Sequence, residues 1–144
     1  MQQTEFFQPM AKLTNTFESD LNLVNYINQK IPATYLKEII THLKQVGEKA
    51  CNEWLTWSDD SEKNIPVLTQ YDPWGRRIDQ ISNSQSWKNL ERAAATEGIV
   101  ATAYERKQGE FSRVYQMALL YLYSPSSAFF SCPLAMTDGA ARAI

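Results

Sequence analysis

His42 is the only histidine of the chain, and Cys51 and Cys132, far apart, are its only cysteines. A zinc site draws three or four nitrogen or sulfur ligands from short spacings, so no metal centre is expected. No serine or cysteine nucleophile and acid are arranged around His42, which places it at a surface or boundary and not in an acyl-transfer triad. Both cysteines stand in helical patterns and read as buried thiols, not as a disulfide. Glu97, Glu105, Glu110 and Asp138 are the acids near the C-terminal helical stretches. A carboxylate that removes a proton needs a tuned pKa and a held substrate, and these four are spaced onto different faces. Solvated or capping roles are expected for all of them.

What is left is chemistry of shape. In the stretch 124–144 a row of small side chains, Ser124, Ala128, Ser131, Ala135 and Asp138 or Gly139, recurs at helical spacing, with Phe129, Phe130, Leu134 and Met136 largely on the other sides. Such a row lets another helix approach, or leaves room for a slender apolar ligand. Ser124 followed by Pro125 reads as a helix start, a hydroxyl acceptor before a residue with no N–H to satisfy. Pro133 then falls inside the helix, where it costs about 3 kcal/mol and predicts a kink near Phe129. The chain stops at Ile144 in a helical pattern without a capping Gly or Asn. A cut within a longer protein is expected.

The elements that must position this stretch are helical. With 144 residues, 44% hydrophobic and 21% charged, the composition is that of one globular domain. A formal charge of −2 and a pI near 5.4 predict no nucleic-acid partner. The longest apolar run, Met117–Tyr123, is far short of the roughly 20 residues that span a bilayer, and the N-terminus has no signal or transit pattern. No membrane partner is expected, and an intracellular location, cytoplasmic or mitochondrial.

Residues 1–18 read as an irregular arm and 19–144 as an all-α domain, a bundle of about five helices with an irregular turn or hairpin insertion. Ser19 and Asp20 cap a short helix that Pro32 ends. From Ala33 to about Trp57, Leu36, Ile39, Ile40, Leu43, Val46, Gly47, Ala50, Trp54 and Trp57 hold one amphipathic helix. Helical spacing ends in the acidic stretch 58–63. Asp72-Pro73-Trp74-Gly75 suits a type I turn with the Asp72 carboxylate bonding back to its N–H groups, inside a small hairpin. Ser84 or Ser86 caps the next helix and Gly98 stops it; 99–104 continues as a turn or a helix. Phe111–Tyr123, apolar nearly all round, is the central helix, packed antiparallel on the last one.

Three stretches carry a resemblance: Tyr71-Asp72-Pro73-Trp74-Gly75-Arg76-Arg77-Ile78-Asp79, then Ala103-Tyr104-Glu105, then Ser131-Cys132-Pro133-Leu134-Ala135-Met136-Thr137-Asp138-Gly139-Ala140-Ala141. Together they resemble the N-terminal part of AidB-like acyl-CoA dehydrogenase flavoproteins, over roughly 21–144. The resemblance implies a helical domain followed, in the family, by a β-barrel and a C-terminal helical domain that hold FAD and the catalytic glutamate. It implies fatty acyl-CoA as partner of the full-length protein, and a homo-oligomer. No FAD is expected on this chain alone, because Met136-Thr137-Asp138 lacks the Gly-Ser-Asp that completes the family's flavin-contacting segment. The family's corresponding last helix lines the acyl channel. That implies an acyl-lining role for Ser127, Phe130, Ser131, Cys132, Ala135 and Met136, no catalytic residue here, and no oxidation by this chain alone. A helical protein-interaction module without catalysis is the alternative.

Overall fold

The computed structural model describes Gln8 and residues 11–144; the first part of the expected arm lies outside the described residues. Helix α1 (Leu21–Lys30) begins where Asp20 Oδ1 accepts from the Leu23 N–H at 2.9 Å. Pro32, held extended, closes the connection and opens α2 (Ala33–Cys51). Ile39, Leu43, Val46, Gly47 and Ala50 form the buried stripe of α2, as its spacing predicts. Gly47 is where the chain before α1 crosses it. A Cβ there would stand 2.3 Å from Asn15 Oδ1 and 2.7 Å from the Phe17 nitrogen, and Phe17 itself is buried in the core.

The expected helix over 33–57 is two helices. The backbone leaves helical geometry at Asn52, and α3 (Glu53–Lys63) runs on through the acidic stretch where helical spacing was expected to end. With the helix broken, Ser126 Oγ donates to the Ala50 carbonyl at 2.8 Å, satisfying an acceptor the break exposes. The stretch 58–63 stays helical because Ser58 and Ser61 turn inward and are buried, while Asp59 and Lys63 pair across one turn outside.

Strands β1 (Val67–Tyr71) and β2 (Arg77–Ser82) form the expected hairpin, antiparallel with Leu68 opposite Ile81. Asp72 closes it as its sequence predicts: its carbonyl accepts from Gly75 at 3.0 Å, and Oδ1 accepts from the N–H groups of Trp74 at 3.0 Å and Arg76 at 2.9 Å. Every residue of both strands is exposed. Helix α4 (Gln85–Thr96) is capped by Ser84, not Ser86, and Gly98 at φ +62° ends that stretch. A single turn, α5 (Ala101–Glu105), and a 3₁₀ turn at Gly109–Phe111 lead into α6 (Ser112–Tyr123).

Helix α6 is central, with Tyr115, Ala118, Leu119, Leu122 and Tyr123 all buried. Its main partners are α2 and α5, not the final helix. Trp54 meets Tyr123 edge to face at 5.2 Å, and the Tyr123 hydroxyl donates to the Leu90 carbonyl at 2.9 Å, joining α3, α6 and α4. The domain is mostly helical, with six helices of ten residues or more among the described residues where about five were expected.

The largest departure is at the end. Ser124–Ser126 is one 3₁₀ turn that finishes α6, the chain reverses at Ala128 (φ +48°), and α7 (Ser131–Ala143) starts afresh. The expected kink is absent, because Pro133 is the third residue of α7. A first-turn N–H has no acceptor to lose there, so the proline is placed without cost. The row of small residues from Ser124 onward is therefore not one helix face.

Candidate functional site

Helix α7 carries no fully buried residue, and besides the partly buried Leu134 packed on the core its position has a polar cause. Asp138 supplies it. The Arg113 guanidinium on α6 reaches Asp138 as a fork, Nη1 to Oδ1 at 2.6 Å and Nη2 to Oδ2 at 2.7 Å. The Tyr104 hydroxyl on α5 lies 2.8 Å from Oδ1 and 2.7 Å from the Asp138 carbonyl. Gln116 orients the fork by accepting from Arg113 Nη1 at 2.7 Å. These contacts, Arg113 first, hold the Asp138 carboxyl down at about 2 against the opposing effect of burial. Asp138, expected solvated or capping, is thus a clip joining three helices.

Under α7 lies an apolar groove of about 630 Å³, walled by Ile99, Tyr104, Phe130, Pro133, Leu134 and Thr137 among others. Two of the polar groups there are engaged, Tyr104 on Asp138 and Thr137 Oγ1 donating to the Pro133 carbonyl at 2.9 Å, and Glu91 stands exposed at the lining. The opposite face of α7 is bare. Met136 is 71% exposed, and Cys132 and Ala135 are exposed beside it.

The six residues expected along an acyl chain do not stand together. Ser127 is fully buried, its hydroxyl donating to the Ser124 carbonyl at 2.8 Å. Phe130 is buried against Trp87 at 5.0 Å and walls the groove, and Ser131 is half-buried. Cys132, Ala135 and Met136 share the bare face; Cys132, expected buried, is a free exposed thiol, and Cys51 is free and half-buried. Residues 130, 133, 134, 137 and 141 carry the three-four spacing of the inner face. That spacing is legible once the helix is started at Ser131. Nothing in the spacing of Tyr104, Arg113 and Asp138 betrays the clip.

A second cluster was also unforeseen. Glu97, expected solvated or capping, is the C-cap residue of α4, 8% exposed, and accepts from His42 Nε2 at 2.8 Å and from Lys49 Nζ at 2.6 Å. A carboxylate only accepts, so Nε2 carries the proton and Nδ1 faces the Tyr115 hydroxyl. The His42 bond is the main cause holding the Glu97 carboxyl below its usual range, with Lys49 assisting and burial opposing. Burial pushes the Tyr115 hydroxyl well above the ordinary phenol value. The cluster joins α2, α4 and α6 with its groups mutually engaged, an arrangement that stabilises and offers no free nucleophile. Among the described residues no group of three or more His, Cys, Asp or Glu side chains is placed to hold a metal, and no helix is long and apolar enough to cross a membrane.

The fold and the clipped terminal helix define a helical domain of one known type. The sequence matches the Adaptive response protein AidB N-terminal domain over residues 8–144, and the chain belongs to that family. It is 31% identical over 140 residues to Acyl-CoA dehydrogenase family member 11 of Caenorhabditis elegans, covering 96% of this chain and 23% of that protein. Two solved structures superpose on it. A structure titled Bd2924 apo-form is 58% identical with a TM-score of 0.92, over 96% of this chain and 27% of that one. The Caenorhabditis elegans ACDH-11 structure in complex with C11-CoA is 30% identical, also with a TM-score of 0.92, over 99% of this chain and 24% of that one. The chain spans about a quarter of the length of these relatives, and it is an AidB-like N-terminal domain of the acyl-CoA dehydrogenase family.

Proposed function

We propose that this chain is the domain of an FAD-dependent acyl-CoA dehydrogenase-type protein that supplies one wall of the fatty-acyl channel, and that it oxidises nothing by itself. The observation that carries this reading is the bare outer face of α7, where Cys132 and Ala135 leave room and Met136 offers apolar surface at 71% exposure. An alkyl chain has no polar group to satisfy, and each methylene moved from water onto such a wall gains about 0.8 kcal/mol. The C11-CoA complex of the Caenorhabditis elegans relative supports an acyl-CoA as the ligand. Ser127 and Phe130 act behind this wall, fixing the reversal from which α7 starts, and Ser131 stands at its edge.

The chain's own residues do not fit the flavin. Met136, Thr137 and Asp138 are helical, the Thr137 hydroxyl is turned back onto Pro133, and the Asp138 carboxylate is taken by Arg113 and Tyr104. FAD and the catalytic base therefore belong to other parts of the full-length protein, in this reading. Oligomer contacts belong there too.

Ala135→Trp in the full-length protein tests the wall. Long-chain acyl-CoA should bind more weakly, by close to fourfold for each methylene displaced, while the shortest acyl groups bind as before. Unchanged binding of long chains by a folded variant overturns the assignment. Turnover of acyl-CoA by residues 1–144 alone overturns the claim of inactivity.

A further inference from the structure

The buried serines of this domain find partners with one exception. Ser58 Oγ accepts from the Ala128 N–H at 3.2 Å, Ser126 Oγ donates to Ala50, Ser127 Oγ to Ser124, and Ser112 Oγ accepts from the Gln108 N–H. Ser61, one turn beyond Ser58 on α3 and only 3% exposed, has a hydroxyl with no hydrogen-bond partner among the described residues. An orphaned buried hydroxyl forfeits its hydration without return, and a partner from outside the chain would restore it.

Ser61 lines a groove of about 470 Å³, distinct from the one under α7, together with Ile65, Pro66, Trp87, Ala128 and Phe129. That volume is within the range of small-molecule sites. The Trp87 and Phe129 rings lie nearly parallel, 24° apart with centroids at 6.2 Å, and Phe129 is left 60% exposed. What sets Phe129 there is Ala128 at φ +48°, a left-handed conformation unfavourable for a residue with a Cβ. Backbone strain, an aromatic shelf and an unpaired hydroxyl thus meet in one concave place. The one charged residue on the lining, Glu62, is exposed and acidic, which disfavours an anion.

We propose that this groove binds a small uncharged aromatic molecule carrying one hydrogen-bonding substituent. Its ring stacks on the Trp87–Phe129 shelf, and its substituent pairs with Ser61 Oγ. The site is separate from the acyl wall, so the proposal does not depend on the function proposed above.

Titration of the chain with p-cresol and with toluene, followed at the Trp87 indole and Ala128 amide resonances, tests it. The two probes share a ring and differ by a hydroxyl. Both should give saturable shifts at these resonances, and Ser61→Ala should weaken p-cresol relative to toluene by roughly three- to tenfold, the yield of one hydrogen bond. In the absence of probe, Ser61→Ala should melt no lower than the parent, because no native bond is lost. Equal effects of Ser61→Ala on the two probes, or the absence of saturable shifts with either, overturns the proposal. Phe129→Ala serves as an independent check: it should weaken both probes alike, and unaltered binding of both also overturns it.

Discussion

At the scale of single residues, two carboxylates hold this domain by being wanted more as anions in the folded chain than in the unfolded one. Asp138, held at about 2 against an ordinary 3.8, contributes stability that is complete above about pH 4 and is lost as pH falls toward 2. Arg113→Ala should return the Asp138 carboxyl toward its ordinary value, read by NMR titration of its carboxyl carbon, and should speed amide exchange along α7. Glu97 is likewise depressed below 4.5, and its contribution is present above that value and lost as pH falls through its folded pKa. Because it is buried between His42 and Lys49, Glu97→Ala should cost about 2 kcal/mol in urea unfolding at neutral pH, the order of a charge-assisted hydrogen bond. Neither carboxylate was legible as such. Glu97 and Asp138 gained partners from helices distant in sequence, and a pairing of this kind leaves no period or motif to read.

At the scale of elements, legibility followed the source of order. Where burial of a face decides the outcome, the spacing showed it: the stripe of α2 and the all-round apolar surface of α6 were read correctly. Local side-chain chemistry was equally clear at Asp72 and Ser84. The break at Asn52 and the reversal at Ala128 were not, because the groups that satisfy them, Ser126 on Ala50 and Ser58 on the Ala128 amide, come from distant parts of the chain. Misplacing that reversal moved the start of the last helix by six residues, from Pro125 to Ser131, and so misassigned which of its residues face in. The reversal gives a direct prediction. A β-branched side chain is strained at positive φ, so Ala128→Val should destabilise the fold by about 1–2 kcal/mol in thermal unfolding. Gly47→Ala should cost about 3 kcal/mol by the same measurement, since its Cβ would collide with the Asn15–Phe17 turn.

At the scale of the molecule, the domain divides into a body packed about α6 and two appendages, the exposed hairpin over 67–82 and helix α7. A two-stranded hairpin alone is marginally stable, so its amides, with those of α7, should exchange well before those of α2 and α6 in hydrogen-exchange mass spectrometry. Helix α7 is a rod about 20 Å long. It is attached at its N-terminal end by the chain and again at Asp138 by Arg113 and Tyr104. Two anchor points on a rod fix its line but leave it able to roll. The flat guanidinium–carboxylate plane is what locks the roll. Arg113→Lys keeps the charge and discards the plane, so it should let the shaft turn on its long axis without coming away, presenting Met136 to solvent at a different bearing.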